Sequence, residues 1–186
     1  MYHLKLTRLA VAALLMAATS ACAADKVSGK VGYEPNSVAI KYGWLVQGPD
    51  INFDTGANGD LYDPKNPTML RIILSATDIG DKIKACVNLS CATGALTDGM
   101  YIDVSDTKVK IEGKPVDDRF YEIRLTAGDT KFNSGTKSGN LKLSTKKSDH
   151  LAGSLHMLEF ADNVKVDVDF DLTLVKVFKT QYQLTN

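Results

Sequence analysis

The chain is 186 residues long and carries 22 lysines and arginines against 22 aspartates and glutamates, so its formal net charge at neutral pH is zero. That balance excludes the broad electrostatic attraction to nucleic acid or anionic membrane that a strongly basic protein exerts. With 44% hydrophobic residues the composition is also unlike that of an intrinsically disordered chain.

The first segment reads as an export signal. A short head with Lys5 and Arg8 precedes an unbroken apolar run from Leu9 to Ala18, and the small-residue triplet Ala21-Cys22-Ala23 follows. This is the order of a cleaved secretory signal peptide occupying residues 1–23, with Ala21 and Ala23 as the cleavage determinants. The apolar run is far shorter than the roughly 20 residues that cross a bilayer as a helix. Cys22 opens a competing fate, lipidation at the cleavage point. The bacterial lipoprotein signal resembles Leu-x-x-Cys, however, and Thr19 stands where Leu is preferred. Export places the mature chain, residues 24–186, in a bacterial periplasm or outside the cell as a single domain with no membrane span.

From Asp25 onward apolar and polar side chains alternate with a period of two, in short runs separated by Gly, Asn, Asp and Pro. Strands are expected at Lys26 to Tyr33 and at Ser37 to Gln47. The second of these places Val38, Ile40, Tyr42, Trp44 and Val46 on one face, with Trp44 as a core anchor. The segment Asp50 to Asp60 follows, with oxygen-bearing side chains at its first, third and fifth positions, Asp50, Asn52 and Asp54. Over those residues it resembles the calcium loop of EF-hand proteins, which implies a calcium site. Thr55 stands where that loop takes Gly and Leu61 where it takes Glu, so the segment is read as a polar surface loop of Asx and Gly turns with no metal.

A strand is expected at Met69 to Ser75, then at most one short helix near residues 78–87, capped by Thr77 or Asp78. Cys86 and Cys91, the two cysteines of the mature chain, are close enough in sequence to close a local disulfide that braces the segment. Their spacing is not Cys-x-x-Cys, which weighs against a redox or zinc role. Further strands are expected at Met100 to Val104, Lys108 to Glu112, Phe120 to Thr126, Asn140 to Thr145, Leu151 to Phe160 and Val164 to Leu174. The last is the clearest: Val164, Val166, Val168, Phe170, Leu172 and Leu174 share one parity, while Lys165, Asp167, Asp169, Asp171 and Thr173 share the other. Asp162-Asn163 just before it suits a tight hairpin.

Eight or nine short strands with almost no helix predict an all-β, antiparallel β-sandwich, Ig-like or similar, with a small β-barrel as the alternative. The row Asp167, Asp169, Asp171 is read as a solvated face that lysines on a neighbouring strand could neutralise. His150 and His156, if both lie on one strand, stand about 20 Å apart and cannot share a metal. The aromatics Tyr33, Tyr42, Trp44, Tyr62, Tyr101 and Tyr121 are read as core filling, with a ligand-binding surface as the lesser possibility. The chain contains no Gly-x-Ser-x-Gly elbow, no His-Glu-x-x-His, no phosphate-cradling Gly-rich loop and no Cys-His pair that would suggest nucleophilic or metal-assisted catalysis. The expectation is therefore a non-enzymatic exported protein without cofactor, metal or catalytic residues, acting by binding another protein. A small calcium-dependent or hydrolytic enzyme using the Asp50 to Asp60 loop or His156 is one alternative, and an apolar-ligand carrier with a cavity between the sheets is the other.

Overall fold

The computed structural model describes residues 25–33, 35–49, 68–105, 109–111, 114–116, 120–124, 131–135, 140–159 and 164–181. Residues 1–23, read as an export signal with Ala21, Cys22 and Ala23, the segment Asp50 to Asp60 read as a surface loop, Tyr62, and Asp162-Asn163, expected as a hairpin turn, lie outside the described residues.

The protein is mostly β. In chain order the elements are β1 (Lys26–Tyr33), β2 (Asn36–Ala39), β3 (Tyr42–Pro49), β4 (Thr68–Ser75), α1 (Gly80–Ala85), α2 (Leu89–Gly94), β5 (Gly99–Ser105), β6 (Val109–Ile111), β7 (Lys114–Val116), β8 (Phe120–Arg124), β9 (Lys131–Gly135), β10 (Leu141–Lys146), β11 (His150–Glu159) and β12 (Val164–Val177). β6 and β7 pair with each other; the remaining strands form one sheet, along the path β10-β11-β12-β3-β4-β5-β8-β9, with β1 on β12 and β2 on β1.

β12 organises this sheet because its 14 residues serve two sets of partners. Residues from Val164 to Thr173 run antiparallel to β11, from Glu159 opposite Val164 to His150 opposite Thr173. The other edge of the same stretch pairs antiparallel with β1, from Tyr33 opposite Val164 to Lys26 opposite Asp171. Beyond an irregularity between Leu174 and Lys176, the strand pairs in parallel with β3, Leu174 opposite Leu45 and Val177 opposite Gln47. The all-antiparallel expectation is thereby corrected to a mixed sheet. A parallel pair needs a long connection between its strands. Here β3 and β12 lie more than a hundred residues apart in sequence, so nothing prevents it.

The alternation in β12 works as its pattern requires: Val164, Val166, Val168, Phe170 and Leu172 are buried. They join a core cluster with Val31, Leu151 and Leu155 on one side and with Leu45, Leu70, Ile72, Leu74, Met100 and Ile102 from β3, β4 and β5 on the other. The opposite face of β3 to β5 is covered as well. Trp44, Val46, Met69, Ile73 and Tyr101 pack there against Ile79 and Ile83 of the first helical segment, Leu89 and Ala92 of the second, and Phe178. Each large aliphatic side chain so buried contributes roughly 1.5 to 3 kcal/mol relative to leaving it in water.

Two expectations about the elements change. The single strand over 37–47 is two strands, because the chain switches partners at Ile40 and Lys41: the Ile40 N–H bonds Gly29 O at 2.9 Å, whereas the Lys41 N–H bonds Ser75 O at 3.0 Å. Ile40 consequently joins the first core cluster and Trp44 the second, so they do not share a face. Among the described residues there are also two short helices in place of one. α2 begins at an N-cap, Asn88, whose side-chain oxygen accepts the Cys91 N–H at 2.8 Å. It buries Leu89, Ala92 and Thr93, the spacing of a single helical face. Among the described residues twelve strands stand where eight or nine were expected. No helix among the described residues is long and apolar enough to cross a membrane.

Candidate functional site

The outer face of β12 carries the acidic row. Lys165, Asp167 and Asp169 are exposed and Asp171 is half-buried, all pointing away from the core. Register places Lys30 of β1 opposite Asp167 and Lys26 opposite Asp171, so lysines flank the row along one side. Along the other side, β11 sets His156 directly opposite Asp167. His156 Nδ1 lies 2.7 Å from Asp167 Oδ1, its Nε2 lies 3.6 Å from Asp169, and His150 Nε2 lies 2.5 Å from Asp171 Oδ1. Both histidines sit on one strand, six residues apart, and each turns to a different carboxylate. The contact of Nδ1 with Asp167 is a hydrogen bond, whereas that of Nε2 with Asp169 is longer than one. These contacts stitch β11 to β12 across an open, wet face.

Cys86 and Cys91 have sulfur atoms 2.12 Å apart, at disulfide bonding distance, with Cα atoms 5.5 Å apart. The bridge links the C-cap of α1 to the first turn of α2. A second tie holds the same corner: Lys176 Nζ reaches from β12 to the carbonyls of Lys84 and Cys86, the latter at 2.6 Å, placing a cation where α1 leaves its C=O groups unpaired. The backbone of Thr180 and Gln181 accepts the Leu89 and Ser90 N–H groups, which closes the start of α2. The cysteine pair is thus part of a structural brace.

Two features were not visible in the linear sequence. One is a buried ion pair, Arg71 with Asp103, under α2; the two side chains are 2% and 0% exposed. Arg71 Nη1 also donates to Thr93 Oγ1 at 2.6 Å, and the guanidinium carbon stands 4.4 Å from the centre of the Tyr101 ring. The group pins the helical layer to the sheet.

The other is an open groove of ≈ 290 Å³ between the start of β3 and the first helix, lined by Asp25, Lys41, Tyr42, Trp44, Asp78, Asp81 and Lys84 among others. Tyr42 and Trp44 alternate along β3 onto the same side and stack with ring centres 6.2 Å apart and planes 12° from parallel. Trp44 is buried, as its expected role as a core anchor requires, but Tyr42 is 39% exposed. Its assignment to core packing is corrected: the strand break at Ile40 and Lys41 brings the beginning of β3 to the rim. Gly80 allows the helix to approach so closely, since a Cβ there would stand 3.0 Å from Trp44 Nε1 and 3.2 Å from Asp78 Oδ1. Asp78 accepts the Gly80 N–H at 2.9 Å and Asp25 accepts the Thr173 N–H at 2.8 Å, each through one carboxylate oxygen. Asp81 pairs with Lys84 at 3.6 Å. The groove therefore combines an aromatic wall with fixed carboxylates, an arrangement that can hold a flat or cationic group by its face and bond it at its edge.

No protein-family model matches this chain, and no curated protein or solved structure is significantly similar to it.

Proposed function

We propose that the chain is an exported, non-enzymatic β-sandwich protein that acts by binding another protein, and that the Tyr42–Trp44 groove is the binding site. The leader pattern of residues 1–23 and the Cys86–Cys91 pair at bonding distance support export into an oxidising compartment, the bacterial periplasm or the cell exterior. The sandwich reading draws on the first core cluster, where side chains of β1, β11 and β12 meet one face of β3 to β5.

The observation that carries the binding role is Tyr42: a large aromatic left 39% exposed in a concavity, already stacked and so with little rotamer freedom to lose on binding. Aromatic side chains of this kind are the usual energetic centres of protein interfaces. His156 and His150, set against Asp167 and Asp171, are not among the residues that line this groove. The test uses the mature chain and its Tyr42→Ala variant as paired baits in the exported fraction of the source cell. A partner held by the first and lost by the second supports the groove. Equal recovery by both would remove the groove from the proposal.

A further inference from the structure

The groove's charge arrangement points to the chemistry of its occupant. We infer that the Tyr42–Trp44 groove receives a cationic side chain, an arginine above all, presented by the partner protein; this rests on the binding role proposed above. Three carboxylates and two lysines line the opening. Lys84 lies 3.6 Å from Asp81, so those two charges offset each other. Asp25 and Asp78 then stand against Lys41 and against the α-ammonium that cleavage after Ala23 leaves on residue 24, next to Asp25 in sequence, so the pull on a cation comes from the two positioned carboxylates and not from a net negative charge. Each of those two aspartates holds its position through a backbone N–H, Thr173 for Asp25 and Gly80 for Asp78, and each has a second oxygen beyond that bond. Carboxylates anchored in this way present fixed acceptors to an incoming donor fork.

A guanidinium satisfies both parts of the site. It is planar and weakly hydrated, stacks on aromatic faces, and presents paired N–H groups that match a carboxylate. The fold already uses this chemistry once, with Arg71 over Tyr101 and forked onto Asp103 in the interior. A lysine ammonium would gain the charge attraction without the fork and should bind more weakly. A neutral sugar could stack on Tyr42 and donate hydroxyls to the carboxylates, but without a charge of its own its binding would not fade as salt rises.

Trp44 is the only tryptophan in the chain, so its emission reports on the groove without a label. The probes are the capped tripeptides acetyl-Gly-Arg-Gly-amide, its Lys and Gln counterparts, and a neutral trisaccharide, each titrated into the oxidised mature protein. The expected result is a saturable change with the Arg peptide, a weaker one with Lys, and none with Gln or the sugar, the response fading as salt rises. Asp78→Asn keeps the acceptor for the Gly80 N–H while removing the charge, and should weaken the Arg peptide by about tenfold. Tyr42→Phe should retain binding and Tyr42→Leu lose it, with thermal melting confirming that each variant folds. An equal response to the Gln peptide, or a response to the sugar alone, overturns the cationic occupant. So does silence toward every peptide while Tyr42→Ala still abolishes partner capture, a result that leaves the groove itself standing.

Discussion

Arg71 on β4 and Asp103 on β5 are direct cross-strand partners, joined by Nε to Oδ1 at 2.5 Å and by Nη2 to Oδ2 at 2.7 Å. Both are buried among the residues of the helix-side core. A paired buried charge adds little net stability over an apolar pair of the same shape, but removing one partner strands the other in a medium that cannot solvate it. Asp103→Asn should therefore cost about 3 to 5 kcal/mol in urea unfolding, whereas Arg71→Met combined with Asp103→Leu should recover most of that loss. A loss below 1 kcal/mol for the single variant would mean that water reaches the site.

This pair also marks the limit of what the linear pattern can convey. In β12 the period of two is legible because one face meets water, so Asp167 and Asp169 truly label the wet side. β4 is buried on both faces from Met69 to Ser75, and its one charge looks like a wet-face marker although Arg71 is 2% exposed. Only the register, which brings Asp103 opposite, discloses the pairing. Tyr42 was misplaced for a related reason: the Ser37 to Gln47 alternation runs unbroken through a point where the backbone changes partners, and side-chain parity carries no sign of it. α2 was missed by length, since six residues are too few to show periodicity, although Asn88 as cap and Leu89, Ala92 and Thr93 on one face were available as signals.

The Cys86–Cys91 bridge closes a short loop, so the chain-entropy model assigns it only about 2 kcal/mol. Reduction should lower the melting temperature by roughly 4 to 8 °C and leave the far-ultraviolet circular dichroism at room temperature unchanged. Unfolding at room temperature on reduction would contradict the bridge's role as a local brace. A melting point indifferent to reductant, in protein first shown to lack free thiols, would contradict any contribution at all.

Lys176 acts at the same corner through charge. Its ammonium meets the carbonyls of Lys84 and Cys86 at the end of α1 and stands 5.2 Å from the Phe178 ring centre. Lys176→Met keeps the apolar stem and discards the charge, and should cost about 1 kcal/mol. Arginine at this position should retain most of the stability. If Met and Lys proved equally stable, water would be satisfying those carbonyls just as well.

Gly29 tests how tightly the two strands beside β12 are held. It lies opposite Val168 with φ of 120°, in the region that side chains disfavour, and its carbonyl accepts the Ile40 N–H that ends β2. A Cβ built there would stand 1.9 Å from the carbonyl oxygen of Asp167, which is backbone and cannot swing aside. Gly29→Ala must therefore push β1 away from β12 or force residue 29 into a different backbone conformation, and either change disturbs the Ile40 bond. The strain alone is about 1 to 3 kcal/mol. Urea unfolding should show a loss of at least that size, and hydrogen exchange should show the amides of Val31 and Ile40 opening faster than those of β4. The outer row would respond too, because Lys30 opposite Asp167 moves with β1. Wild-type stability and exchange in Gly29→Ala would show that β1 does not lie against β12 in the register described.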